Sequence, residues 1–266
     1  YPTAFAVTAA KPTHTLRRQW QEKQGPSPEQ WYERYWQETD TFKRLAYLRT
    51  AAEQGYAPAQ TELGLCYENG KGVEQDEAQA VRWYRKAAQQ GYPWAQCNLG
   101  LCYEYGRGVE QDTTMAVQWY RKAAEQGLDE AQNNLGNCYY LGIGVERNLA
   151  QAAQWYRKAA DQGYAPAQWQ LGDCYSDGYG VEKDPAQAVH WYRKAADQGN
   201  KSAQCALADC YENGRGVKQD AVQAAEWYRK AAEQGNKDAQ RALADCYENG
   251  RGVPKDANQA AYWREK

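Results

Sequence analysis

The 266-residue sequence is poor in the side chains that build most protein cores. It holds 14 Leu, 11 Val, one Ile and two Phe, about a tenth of the chain. Scarcity of these four types together with a high net charge marks disorder. Here the formal net charge is only −2, and the missing bulk returns as 43 Ala, 22 Tyr and 11 Trp. A core made from that stock packs Ala against large aromatics. Parallel α/β sheets and β-sandwiches, whose strands draw on Val and Ile, are excluded. No apolar run approaches the roughly 18 residues of a membrane helix, so membrane insertion is not expected. Lys and Arg (32) nearly balance Asp and Glu (34), which gives no overall attraction for nucleic acid. Only two histidines occur, His14 and His190. There is no H-E-x-x-H, P-loop or nucleophile elbow, and the recurring G-x-G-V lacks the third glycine of a dinucleotide fingerprint. Neither catalysis nor a cofactor is expected. No signal peptide is visible and the chain opens at Tyr1, so a processed or trimmed chain is expected.

What is present is periodic. Trp83, Trp119, Trp155, Trp191, Trp227 and Trp263 lie 36 residues apart, and Cys66, Cys102, Cys138, Cys174, Cys210 and Cys246 keep the same interval. Around them runs A-Q-x-x-L-G-x-C-Y-x-x-G-x-G-V-x-x-D-x-x-Q-A-x-x-W-Y-R-K-A-A-x-Q-G, six times from about Ala59 to Lys266, with Ala replacing a Gly in the last two copies. A half-unit, Thr41–Gly55, precedes them with Tyr47 at the tryptophan position. Ala59, Leu63, Cys66, Tyr67 and Gly70 share one face of a predicted helix A. Ala80, Trp83, Tyr84, Ala87 and Ala88 do the same for a helix B. Gly70 suits a left-handed position that ends helix A, Gly72 keeps the loop tight, and Gly91 stops helix B. Asp76 with Gln79 forms a capping-box-like pair, repeated as Asp184/Gln187, Asp220/Gln223 and Asp256/Gln259, and Pro185 suits the first helical turn.

The spacing predicts an all-α chain of stacked αα-hairpins, because one hairpin cannot bury its aromatic face alone. Residues 1–14 read as an extended or mobile tail. Residues 15–55 read as a helical cap, with a short helix from Thr15 through Leu16 and Trp20, a second start at Ser27, and the half-repeat. Residues 56–266 hold the six repeats.

The L-G-x-x-Y-x-x-G-x-G-V-x-x-D and W-Y-x-K-A-A-x-x-G blocks resemble the Sel-1-like repeat family, relatives of tetratricopeptide repeats. The resemblance implies a right-handed α-solenoid whose A helices line a concave groove for other proteins. It also implies a bacterial setting, often exported and facing host or envelope. Cysteine-rich secreted members staple adjacent hairpins with one disulfide per repeat. The matching positions here are Ala88 and Gln96, and Ala124 and Gln132. That departure removes the argument for an oxidising compartment. Unpaired thiols point to the cytoplasm and family habit to export, so the compartment stays open.

The six periodic cysteines face the predicted core as small apolar residues. Packed helices sit about 8–10 Å apart, beyond the roughly 7 Å a disulfide spans. Cys97 and Cys205 fall on the outward face of helix A and are expected to react first with a thiol reagent.

The third, seventh and tenth positions of helix A form that outward stripe, and they differ between repeats. Leu65, Leu101, Tyr140 and Trp169 are its apolar members. Asp173, Asp209 and Asp245, reinforced by Glu212 and Glu248 with Arg241 nearby, form an acidic ladder. An aromatic anchor beside acidic ground suits a protein or peptide partner with a basic segment. The chain's own Lys11, Arg17, Arg18 and Lys23 offer one such segment. Helix B repeats an Arg-Lys pair, expected as a solvated surface with Glu125, Asp161, Asp197 and Glu233 one turn on. The expected function is a monomeric, non-enzymatic protein-interaction adaptor. The alternatives are an immunity-type protein that neutralises a toxic effector, and an enzyme acting through the groove carboxylates.

Overall fold

The computed structural model describes residues 25–266. The extended tail, the Thr15 helix and the basic run of residues 11–23 lie outside the described residues. Among the described residues there are fourteen helices and no strand. The chain divides into two compact units, Tyr1–Ala95 and Gln96–Lys266.

The first unit contains α1 (Pro28–Gln37), α2 (Thr41–Glu53), α3 (Ala57–Asn69) and α4 (Glu77–Gln89). Ser27 caps α1 with a reciprocal capping box to Gln30. Tyr35, Leu48, Ala59 and Leu63 close one core, with the ring of Trp31 5.3 Å from that of Tyr47.

α5 (Pro93–Tyr105) leads into the second unit. There follow α6 (Thr113–Glu125), α7 (Asp129–Leu141), α8 (Leu149–Asp161), α9 (Ala165–Asp177), α10 (Pro185–Asp197), α11 (Lys201–Asn213), α12 (Ala221–Glu233), α13 (Lys237–Asn249) and α14 (Ala257–Glu265). Odd-numbered members from α7 onward are helices A and even-numbered ones helices B. Each helix A ends as expected: Gly142, in the left-handed region, donates its N–H to Cys138 O, and Ile143 donates to the same carbonyl.

The start of helix B differs from the expected capping box. Asp184 accepts from the N–H groups of Ala186 and Gln187, but its own N–H already donates to Tyr175 O on helix A. The same bond joins Asp220 to Tyr211 and Asp256 to Tyr247. With that donor occupied, the glutamine has nothing to cap from behind.

Tyrosine fills the core more completely than tryptophan. Tyr120, Tyr156 and Tyr228 are fully buried, while Trp119, Trp155 and Trp227 stay half-buried. Burying each aromatic ring contributes about 1.5–3 kcal/mol. The glycine of the L-G pair makes room for it. A Cβ on Gly136 would stand 2.6 Å from Tyr156 Cε1, and one on Gly172 would stand 2.5 Å from the Tyr192 ring. The second glycine of G-x-G does more than tighten a loop. A Cβ on Gly180 would lie 2.0 Å from Leu149 O, so this loop rests directly on the first turn of the preceding helix B.

Buried glutamines tie consecutive hairpins together. Gln168 donates to Ala160 O at 3.1 Å and accepts from Gln198 Nε2 at 2.8 Å. Gln132 and Gln204 repeat both bonds. Each such side chain adds a second donor to a carbonyl near the C-terminus of helix B that also accepts from the following glycine N–H.

Candidate functional site

The helix A stripe is less open than its spacing suggests. At the third position Thr61, Cys97 and Asn133 are buried. Cys97, 1% exposed, joins the core of Ala116, Tyr120, Ala131 and Leu135. Its sulfur accepts a hydrogen bond from Asn134 of the next helix A at 3.7 Å. The expected outward Cys97 is therefore a core thiol, and burial pushes its pKa up to about 12. Cys205 is half-buried, and burial pushes it to about 12 as well. The reason is packing: helix B of the same hairpin and helix A of the next enclose Cys97. The six periodic cysteines are buried, as read from the sequence.

The carboxylates of the ladder are held from beneath by helix B. Tyr192 OH donates to Asp173 Oδ1 at 2.6 Å. Tyr228 OH donates to Asp209 and, at 2.8 Å, to Glu212 Oε2. Tyr120 OH donates to Glu104 Oε2 at 2.6 Å, and Tyr156 OH to Asn137 Oδ1 at 2.8 Å. The last repeat has Arg264 where the others have tyrosine, and its guanidinium contacts Asp245 at 3.2 Å as well as Glu248. Burial and the nearby carboxylate drive the Tyr192 hydroxyl far above its usual titration range, which keeps it a donor. Burial raises Asp173 to about 6, with the charge of Asp177 adding to the effect and the Tyr192 hydrogen bond opposing it. Burial also raises Asp209. Asp173 and Asp209 are thus half-buried members of a tyrosine–carboxylate framework rather than freely solvated charges.

The other sequence candidates fall into place around them. Leu65 and Leu101 are half-buried, Leu101 against the Ala116–Leu135 core. Tyr140 is half-buried and meets Tyr179 edge-on at 5.8 Å; burial raises its pKa, with a smaller contribution from the Asp173 charge. Trp169 packs against the core formed by Val189, Tyr192 and Leu207. Glu212 pairs with Arg251 at 2.6 Å. Arg241 is exposed and lies 3.6 Å from Asp238 of its own helix. Two residues of this surface escaped sequence reasoning: Tyr105 and Leu141, 57% and 61% exposed. They stand at one repeat position where Asn69, Asn213 and Asn249 stand elsewhere. That apolar-for-Asn exchange was the available signal.

The basic pairs of helix B are engaged by aromatics. Lys122, Lys158 and Lys230 sit 4.1, 3.8 and 3.8 Å over Trp119, Trp155 and Trp227. Arg121 donates to Tyr139 OH at 2.7 Å and Arg229 to Tyr247 OH at 2.9 Å. The expected turn-spaced acids are therefore not their partners. Among the described residues no group of His, Cys, Asp and Glu is arranged to hold a metal ion, and no helix is long and apolar enough to cross a membrane.

Repeated hairpins with a constant frame and a variable helix A face define an α-helical repeat protein of the interaction-scaffold type. The chain belongs to the Sel1 repeat family: a Sel1 repeat model matches residues 57–92, 95–128, 129–164, 165–200, 201–236 and 237–266. Proteins of this family generally serve as protein-interaction scaffolds and are typically non-catalytic. A Sel1 repeat protein from Oxalobacter formigenes is 37% identical, with a TM-score of 0.83 over 91% of this chain and 96% of its own. A protective antigen of uropathogenic Escherichia coli with an SLR fold is 43% identical, with a TM-score of 0.82 over 93% of this chain. The chain spans 54% of that antigen's length. An immunity protein from Pseudomonas aeruginosa, 23% identical with a TM-score of 0.53 over 79% of each chain, shares the fold alone. No curated protein matches.

Proposed function

We propose that the chain is a non-enzymatic adaptor whose helix A face in Gln96–Lys266 holds a partner segment combining apolar and basic side chains. The observation that carries this reading is the exposure of Tyr105 and Leu141 on a framework whose other repeats keep that position polar. Exposed apolar side chains in the second and third repeats would supply an anchor, and the carboxylates Asp173 and Asp209 of the fourth and fifth a steering charge. Monomeric behaviour and a basic partner segment belong to the same proposal. An immunity-type role would use the same surface, and the immunity-protein neighbour shares only the fold. Capture from native lysate with the chain and with its Tyr105→Glu/Leu141→Glu variant tests the reading. Both side chains are solvent-facing, so the variant should melt with the parent and lose the partner. A partner retained equally by both chains overturns the proposal.

A further inference from the structure

The tenth position of helix A carries Glu68, Glu104, Glu212 and Glu248, and Tyr140 in the third repeat, but Ser176 in the fourth. Glu104 and Glu212 reach the hydroxyl of their repeat's tyrosine and fill the space beside it. Ser176 also hydrogen-bonds Tyr192, but its side chain is smaller than glutamate, and a cavity of about 290 Å³ lies between the fourth and fifth repeats. Asp173, Asp177 and Asp209 line it, with Ala188 and Ala206 as an apolar wall. Lys183 and Arg215 border it as exposed side chains.

We infer that this cavity receives the ammonium end of a lysine side chain from a bound partner, with Asp173 and Asp209 as its anchors. The inference rests on the adaptor reading and gives it a chemical specificity. The volume, about 290 Å³, is ample for one lysine side chain and lies at the lower edge of small-molecule pockets. Each anchor carboxylate has a tyrosine hydroxyl as donor, and neither forms an ion pair among the described residues. Half-buried carboxylates without a cation resist ionisation, as the raised pKa values of Asp173 and Asp209 show, and an entering ammonium reverses that. The alanine wall suits the methylene stem of lysine. Lys183 and Arg215 also line the cavity, though neither comes within ion-pair distance of Asp173 or Asp209. The Arg215 charge still acts on Asp209, so it competes with the ligand.

The probe is n-butylammonium, the lysine side chain without its backbone, added to the full chain while the Asp173 carboxyl is followed by carbon NMR. A saturable shift is expected, together with a fall in the Asp173 titration midpoint. Ser176→Tyr fills the cavity with the neutral residue that Tyr140 already is in the third repeat, and should weaken binding at least about fivefold. Asp209→Asn should weaken it similarly while still accepting the Tyr228 hydrogen bond, as Asn137 does for Tyr156. Arg215→Gln should strengthen it. No saturable shift, binding unchanged in both Ser176→Tyr and Asp209→Asn, or tighter binding of butyrate would each overturn the inference. A captured partner that Ser176→Tyr leaves bound and Tyr105→Glu/Leu141→Glu releases would overturn the lysine pocket and spare the adaptor reading.

Discussion

Replacing Asp173 with Asn should stabilise the protein at neutral pH. Folding moves this carboxyl from an ordinary value of 3.8 to about 6. Between those values the native state holds more protons than the unfolded chain, so stability falls as pH rises through the window. Above pH 6 the full cost of the charged form remains. A rise of about two units corresponds to about 3 kcal/mol. Partial solvent exposure reduces this to about 1–2 kcal/mol. Asparagine removes the charge and keeps the acceptor, since Asn137 takes the Tyr156 hydrogen bond at 2.8 Å in the preceding repeat. Thermal unfolding at pH 7.5 should therefore show the Asp173→Asn midpoint raised by about 2–8 °C. At pH 3.5, below both values, Asp173 is mostly protonated in either state and the difference should shrink to about 1 °C or less. A variant less stable at pH 7.5, or a gain undiminished at pH 3.5, would refute the reasoning. A stabilising exchange at a variable position also fits a carboxylate held for binding at the expense of stability.

Other outcomes follow from the same geometry. Gly180→Ala, at φ +72° with its new Cβ 2.0 Å from Leu149 O, should cost about 3 kcal/mol or more, seen as a melting point at least about 6 °C lower. Gly163→Ala, at φ +97° with open space around it, should cost only about 1 kcal/mol. Equal losses would remove the inter-hairpin contact from the explanation. Under native conditions a thiol reagent should label Cys205 before Cys97, with Cys97 as slow as Cys138; peptide mapping of the labelled protein reads the order. Gln168→Leu removes the bonds to Ala160 O and from Gln198 Nε2, which keep Gly163 N–H and Lys194 O as partners, and should destabilise by about 1–2 kcal/mol in denaturant unfolding. Arg241→Gln, an exposed side chain, should change stability by less than about 0.5 kcal/mol.

The 36-residue period, the helix pairs and their ends were legible because they rest on local chemistry. Gly70, Gly142 and Gly178 end helices through their own φ angles, and Asp184 caps through atoms two and three residues away. The burial of Cys138 and Tyr156 follows from helical spacing alone. Exposure on helix A did not, because spacing gives a direction relative to one helix and says nothing about the neighbour it meets. Cys97 and Trp169 pack against helix B of their own hairpin and against helix A of the next, where helical spacing alone had them outward. Asp173 and Asp209 were found by sequence as acids. Only the tertiary structure joined them to Tyr192 and Tyr228, 19 residues onward, and opened the cavity above Ser176. The sequence by itself therefore determined the repeating frame, whose helix ends and caps rest on contacts a few residues apart. The fold decided which side chains remain for a partner, because that depends on how closely successive hairpins approach.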